Sequence, residues 1–455
     1  MRVLLATTLA PEFVKVWLCQ QTSTAGSRVP PSDLAAIGAS LRRDGHEVAL
    51  AELRYASAPL ALFREIQERF PPDAVVLNLT TPSAPLDYRI LGAARPGAQR
   101  LVFGTHALAF PAEAFEHGVD AILWGDPEAA LRNALGSPGG HDGVVRPGQT
   151  PADTPPAYVD SLDDLPYQDL SLLDLSLYHA PYIPRGRRFT MMLTARGCPF
   201  RCTFCQHPIL FGPKYRSQSP GRVVDELVAL RDQYGVREAM FLDATFNVSE
   251  RWVAAFCEEM LRRAVGVRWS CNLRARPAGI EMLRLMKRAG CRHAMFGVED
   301  LQLLDEVRKG ITSHDVFEAF RAARQAGLST VAYVMLFRDA PCSEREYPGR
   351  ILKLIRRLGA DAVQVNVAIP LPGTALYDEM ARDGGLSTDW TTYDPGGDRL
   401  PYRSDLDLVA IRERIVRRLP FARPLRTLRQ VCQLDARSLL SALRRYVRSW
   451  HGPAR

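Results

Sequence analysis

Short apolar runs alternate with amphipathic stretches in two series along this chain, and that alternation limits the folds open to it. Val3–Thr7, Glu47–Leu53, Ala74–Leu79, Leu101–Gly104 and Ala121–Trp124 read as strands, separated by helical stretches such as Asp33–Arg43 and Pro59–Arg69. A second series gives six strands: Phe189–Leu193, Ala239–Leu242, Val267–Asn272, His293–Val298, Thr330–Leu336 and Ala362–Ala368. Between them helices are expected at Gly221–Tyr234, Glu250–Ala264, Glu281–Ala289, Ser313–Ala326 and Glu344–Leu358. Strands alternating with helices imply parallel sheets covered on both faces. The expectation is an α/β protein with a Rossmann-like domain over 1–145 and a partial (β/α)6 barrel over 186–385. Residues 146–185, rich in Pro, Gly and Asp with Pro155-Pro156 and repeated Asp-Leu steps, read as a linker. Residues 386–455 read as a helical C-terminal region, with helices at Leu406–Arg418 and Asp435–Ser449.

The first strand of the second series leads into Cys198-Pro199-Phe200-Arg201-Cys202-Thr203-Phe204-Cys205. Three thiols at C-x3-C-x2-C spacing on one tight loop suit three irons of a [4Fe-4S] cluster. A fourth cysteine at matching spacing is absent, which leaves one iron an open position for a chelating small molecule. A structural zinc site is the alternative, but zinc favours four ligands in paired spacing, and His207 stands only two residues beyond Cys205.

The octet, with Phe204 just before its last cysteine, resembles the signature of the radical SAM enzymes. That resemblance implies S-adenosylmethionine on the open iron and its reductive cleavage to a 5′-deoxyadenosyl radical. The first series resembles the cobalamin (B12)-binding domain that precedes many such cores, through Pro30-Pro31 and the run Leu41 to Val48. Phe103-Gly104-Thr105-His106 and Gly125-Asp126-Pro127-Glu128 stand where that class usually shows Gly-Gly-Pro-His and Gly-Glu-Gly-Glu. Cobalamin needs close backbone approach, which glycine permits. Phe103 and Pro127 replace two glycines, and no Asp-x-His-x-x-Gly motif is present, so bound cobalamin is left open with the glycine losses counting against it.

In such barrels the chemistry sits at the C-terminal ends of the strands, and there the resemblance assigns further roles. Asp243, in Asp243-Ala244-Thr245-Phe246-Asn247, resembles the acidic turn that receives the methionine amino group. Ser270 is a candidate for ribose, Arg274 for the methionine carboxylate, and Glu299 for ribose or amino contacts. Lys309-Gly310-Ile311-Thr312 and Pro372-Gly373-Thr374 fit other segments of the family. Single residues of these types also serve as caps and turns. The fifth strand departs from the family, since Leu336-Phe337-Arg338-Asp339-Ala340-Pro341-Cys342 lacks the usual glycines. Tyr215, on the loop between the cluster and the next helix, is a candidate general acid.

No run of apolar residues is long enough to mark a membrane span, and the first residues read as a strand rather than a signal peptide. Nine cysteines, three of them clustered, fit a reducing cytoplasm. The net charge of +8 is concentrated between Ile411 and Arg455, where 12 Arg face only Glu413 and Asp435. Interleaved Leu, Val and Ile make this an amphipathic stretch with solvated Arg faces rather than a nucleic-acid surface. The compact ending, with Cys432 alone, resembles secondary-metabolism members of the class. Among these are radical diol dehydratases of apramycin-type aminoglycoside biosynthesis, which remove a hydroxyl from the pseudodisaccharide paromamine. The expected partners are such a small molecule and an electron donor of flavodoxin or ferredoxin type. The alternative is a cobalamin-dependent radical methyltransferase; a non-catalytic iron–sulfur or zinc protein would leave the strand-end residues unexplained.

Overall fold

The computed structural model describes residues 1–8, 13–16, 19–22, 27–136, 142–180, 183–184 and 186–422. The helix expected at Asp435–Ser449 lies outside them. Strand β1 (Arg2–Thr7) leads through a hairpin of β2 (Phe13–Val16) and β3 (Cys19–Thr22) to α1 (Ser32–Arg43). There follow β4 (Glu47–Glu52), α2 (Pro59–Arg69), β5 (Ala74–Asn78), α3 (Ala84–Gly92), β6 (Gln99–Phe103), α4 (Thr105–Ala109), α5 (Pro111–Glu116), β7 (Ala121–Leu123), α6 (Pro127–Leu135) and β8 (Val144–Val145). The sheet runs β4-β1-β5-β6-β7-β8, parallel except at β8, the doubly wound order of flavodoxin-like sheets. Every residue of β5 is buried, as strands covered on both faces require.

The second sheet runs β16-β15-β14-β13-β12-β9 and is parallel throughout. Its strands are β9 (Arg188–Met192), β12 (Val236–Phe241), β13 (Arg268–Leu273), β14 (Cys291–Gly297), β15 (Ser329–Leu336) and β16 (Ala362–Val367). A short pair, β10 (Ala195–Arg196) and β11 (Arg216–Ser217), flanks α7 (His207–Phe211). Crossover helices α8 (Pro220–Tyr234), α9 (Glu250–Arg262), α10 (Ile280–Arg288), α11 (Ser313–Gln325) and α12 (Tyr347–Leu358) cover the outer face, before α13 (Ala375–Arg382) and α14 (Leu408–Ala422). Sequential order without closure makes a curled half-barrel.

Two expected boundaries move for physical reasons. The helix expected from Glu344 starts at Tyr347, because the Ser343 hydroxyl and amide both donate to Glu346 in a preceding turn. The helix expected from Leu406 starts at Leu408, and residues 386–407, placed in the helical C-terminal region, hold one 3-10 turn, Trp390–Thr392, capped by Asp389. The Asp-Leu repeats also resolve: Asp169 and Asp174 each cap a single 3-10 turn, and Leu170 and Leu173 are buried.

Two of the contacts between the sheets bear on the site. Helix α1 backs onto β9, where Ser32 Oγ accepts from the Met191 amide at 3.1 Å. The second is ionic. Arg196 is buried with both guanidinium nitrogens on Glu128, at 2.9 and 2.8 Å, and reaches Asp126 at 2.9 Å. Arg216 grips the same Asp126 at 2.7 and 3.0 Å. Burial works against the Asp126 carboxylate, but the two arginines hold its carboxyl below the ordinary 3.8.

Removing one member of a buried ion network strands the others. Glu128→Ala is expected to lower unfolding stability by about 3–5 kcal/mol, read by denaturant titration. Because the folded Asp126 carboxyl lies below 3.8, its stabilisation is complete above that value and is lost as pH falls through the folded one.

Candidate active site

The loop after β9 is shaped by its crossing over the returning chain. Gly197 has φ +79°, and a Cβ there would stand 2.0 Å from the Lys214 carbonyl oxygen, so only glycine carries the chain into Cys198. The loop is then pinned along its length. The Thr203 amide donates to Val307 O at 3.1 Å and the Leu376 amide to Thr203 O at 2.9 Å. The Gln206 amide nitrogen donates to Pro372 O at 2.9 Å, and the Phe204 ring lies 6.1 Å from that of Phe337.

The three thiols share one pocket. Burial is the main force raising the Cys205 thiol to about 12, and Cys202 and Cys198 add to it. Burial likewise raises Cys198, with Cys202 contributing. Among the described residues no three Cys, His, Asp or Glu side chains converge on a point that a single ion could fill. The thiols raise one another's proton affinity, and binding of a cluster would deprotonate them.

The strand ends beside the loop carry the expected residues, each with partners inside the protein. Asp243 is buried, and its carboxylate accepts from the Thr194 amide (2.8 Å), the Thr194 hydroxyl (2.8 Å) and the Ala195 amide (2.7 Å). Burial nonetheless raises its carboxyl to about 7. It therefore shapes the turn leading to the cysteines, with both oxygens engaged by the protein. Ser270 lies deeper in the barrel, its hydroxyl 3.0 Å from Nδ1 of His293. Arg274 is buried, its guanidinium 3.7 Å above the Phe200 ring of the cluster loop. Asn247 fixes its backbone from both sides, accepting from the Arg274 amide and donating to the Arg274 carbonyl, each at 2.9 Å.

Glu299 sits in the left-handed region at φ +59°, a conformation that persists in non-glycine residues only where the surroundings impose it. It pairs with Lys309 at 2.7 Å. Burial opposes the Lys309 charge, but Glu299 outweighs it and raises the ammonium above its ordinary value. A Cβ on Gly297 would lie 2.6 Å from Lys309 Nζ, so glycine there makes room for the pair. Tyr215 immediately precedes β11. Burial, then the nearby Asp243, raises its phenol to about 12, against a hydrogen bond with Ser217.

Sequence reasoning passed over Lys309, Arg196 and Asn272 as functional residues. Lys309 was legible only as part of the Lys309-Gly310-Ile311-Thr312 segment, not as the partner of Glu299. Arg196 and Asn272 gave no local signal, since their partners lie far away in sequence.

The C-terminal edge of the first sheet is closed by the chain itself. Phe103 is fully buried in an apolar core with Leu5, Leu34 and Ala130. A Cβ on Gly125 would lie 2.1 Å from the Ala157 carbonyl oxygen, and one on Gly104 2.4 Å from that of Leu79. These glycines admit the protein's own backbone. Thr105 donates to Gln206 at 3.1 Å and Trp124 Nε1 to Ile209 O at 3.3 Å, so α4 meets α7 directly. Glu113 accepts from Trp390 Nε1 at 3.2 Å and lies 3.2 Å from His106 Nε2, which draws the C-terminal segment over the same edge. Among the described residues, Phe103, Gly104 and Gly125 are thus engaged by the protein's own atoms, which bears on a bound cobalamin.

Residues 192–346 match the Radical SAM superfamily. The chain carries a radical SAM domain. It is 27% identical over 395 residues to an uncharacterized methyltransferase of Pyrococcus horikoshii, covering 81% of this chain and 83% of that one. It is 28% identical to the anaerobic magnesium-protoporphyrin IX monomethyl ester cyclase of Cereibacter sphaeroides, over 72% of this chain and 56% of the cyclase. The fold is similar to that of TsrM, a radical S-adenosylmethionine methyltransferase of Kitasatospora setae solved with cobalamin and a [4Fe-4S] cluster bound. The TM-score is 0.64 with 19% identity, over 85% of this chain and 79% of that one. In this radical SAM enzyme a [4Fe-4S] cluster and S-adenosylmethionine supply the radical chemistry, and among the described residues no helix is long and apolar enough to cross a membrane.

Cys202→Ala is expected to lose most iron and all deoxyadenosine formation in reconstituted enzyme; retained cleavage would overturn the cluster assignment. Glu299→Gln is expected to keep its iron but to bind S-adenosylmethionine about tenfold more weakly, the loss of one charged contact. Equilibrium dialysis with labelled S-adenosylmethionine checks it.

Proposed function

We propose that this enzyme removes a hydroxyl from a vicinal diol of a small aminoglycoside-like molecule by radical elimination, without cobalamin. Cys198, Cys202 and Cys205 would hold the cluster, and Arg274 and Glu299 would bind S-adenosylmethionine, which together supply a 5′-deoxyadenosyl radical that takes hydrogen from one carbinol carbon. The observation that carries the reading is Tyr215, a phenol kept protonated across the neutral range and set beside the loop that bears the cysteines. It donates its proton to the neighbouring hydroxyl, which departs as water. The phenolate left behind takes the proton of the remaining hydroxyl as that carbon becomes a carbonyl. One electron, from a flavodoxin- or ferredoxin-type donor, and one proton then complete a ketone with one oxygen fewer. Asp243 holds Thr194 and Ala195 by hydrogen bonds and lies near enough to Tyr215 to act on its phenol.

The second reading is a cobalamin-dependent radical methyltransferase. The relatives favour it, since both the Pyrococcus protein and TsrM are named as methyltransferases. Against it stand the buried Phe103 and the protein contacts that fill the edge of the first sheet.

The two readings separate on one preparation, purified without oxygen with cobalamin supplied, reconstituted and gel-filtered. The proposal expects cluster absorption without cobalamin bands, and a paromamine product lighter by one water. Cobalamin surviving the column with a product heavier by one methylene would establish the methyltransferase. Tyr215→Phe is expected to cut dehydrated product by about 10²–10⁴-fold, the usual contribution of a general acid, while the cluster and uncoupled deoxyadenosine formation persist.

A further inference from the structure

The backbone around Lys309 is bent to bury a charge. Arg308 and Gly310 are exposed, while Lys309 between them is turned inward and buried. Both neighbours lie in the left-handed region, with φ 51° at Arg308 and 64° at Gly310. Among the described residues only three that are not glycine adopt such φ values, and two of them, Arg308 and Glu299, belong to or adjoin this ion pair. Backbone of that kind is costly and persists where the surroundings over-determine it. A buried lysine needs a partner, and Glu299 at 2.7 Å supplies it. An ion pair on the surface would need no such backbone.

The ammonium stands beside the thiols. The Thr203 amide donates to Val307 O at 3.1 Å and the Lys309 amide to Leu304 O at 2.8 Å, which fastens this turn to the loop of cysteines. Lys309 Nζ lies 5.9 Å from the centre of the ring of Phe204, the residue before Cys205. Burial and Arg274 oppose the Lys309 charge, whereas Glu299 and Cys202 favour it. Burial is what most raises the Cys205 thiol, and Lys309 pulls against it. Arg274 acts on Cys198, and its Nη2 stands 3.3 Å from where a Cβ on Gly310 would be.

We propose that Lys309 sets the reduction potential of the cluster, its ammonium being held beside Cys202 and Cys205 by Glu299. A cluster bound by three thiolates is already negative, and the electron it receives adds to that charge. The potential of such clusters follows the charge and hydrogen bonding around them, so a fixed cation in a buried pocket favours the reduced form. Lysine suits this, because its ammonium is a compact point charge. One electron passes from the flavodoxin- or ferredoxin-type donor and takes [4Fe-4S]²⁺ to [4Fe-4S]⁺, with no bond formed or broken. Elimination and methylation alike begin with that electron.

The test is a redox titration of reconstituted enzyme with mediator dyes and no S-adenosylmethionine, the reduced cluster being counted by electron paramagnetic resonance. Lys309→Met, neutral and of similar length, is expected to disfavour reduction about tenfold in equilibrium constant, a fall of about 59 mV for one electron. Glu299→Gln, which leaves the cation unopposed, is expected to shift the potential upward. Lost packing or entry of water would move both variants in one direction, so opposite signs mark the charge. An unchanged potential in Lys309→Met, or a shift of both variants in the same direction, would overturn the inference. Should Lys309→Met hold no cluster, Glu299→Gln decides alone: a rise upholds the assignment, and no rise overturns it. Lys309→Met with its potential intact but S-adenosylmethionine bound more weakly would make Lys309 a ligand of that molecule instead.

Discussion

Arg196 stands two residues before the first cluster thiol, and its burial between Asp126 and Glu128 is the interaction on which the site depends. Taking three charges out of water is expensive and is tolerated only where geometry and hydrogen bonding are complete. Here both guanidinium nitrogens are engaged, and Arg216 from the returning strand neutralises the shared carboxylate. The pair Ala195–Arg196 and Arg216–Ser217 is thereby fixed to the first sheet. The loop between those two strands carries Cys198, Cys202, Cys205 and Tyr215. A loop presenting three thiols to one cluster cannot be slack, and its stiffness comes from a different sheet.

This arrangement changes the reading of the first sheet. Its Gly-Asp-Pro-Glu turn spends both carboxylates on docking. Its glycines at 104 and 125 admit neighbouring backbone, and the Phe103 ring belongs to the core between the sheet and its helices. Trp390 and Gln206 reach in from the other side. What survives is a rigid platform under the cluster loop. On the proposed account the radical is spent on elimination, with a phenol as acid.

Much of this was legible in sequence where the signal is local. Strand and helix positions followed from apolar periodicity, and the cysteine octet announced its chemistry by spacing alone. Phe103 and Pro127 stood out as substitutions for glycine before any contact was visible. What could not be read were partnerships between distant residues. Asp243 reads from sequence as a ligand for an ammonium group, with no sign there that its oxygens also hold Thr194 and Ala195, 49 and 48 residues earlier. Ser270 reads from sequence as a ribose contact, and only strand register shows that it also stands beside His293. Periodicity cannot show which of two adjacent polar residues on a strand reaches the mouth of a barrel, because that depends on how deep each layer lies. The stretch before Asp407 looked helical at its end, yet its Pro, Gly and Asp residues favour turns.

The most direct test of the central claim, that three thiolates hold a cluster with one open iron, is electron paramagnetic resonance of the reduced, reconstituted enzyme. The signal is recorded with and without S-adenosylmethionine. The account predicts a [4Fe-4S]⁺ spectrum whose g-values shift when S-adenosylmethionine is added, because the molecule ligates the open iron. A cluster spectrum that S-adenosylmethionine leaves unchanged would contradict it, as would reconstituted protein that holds zinc and no iron.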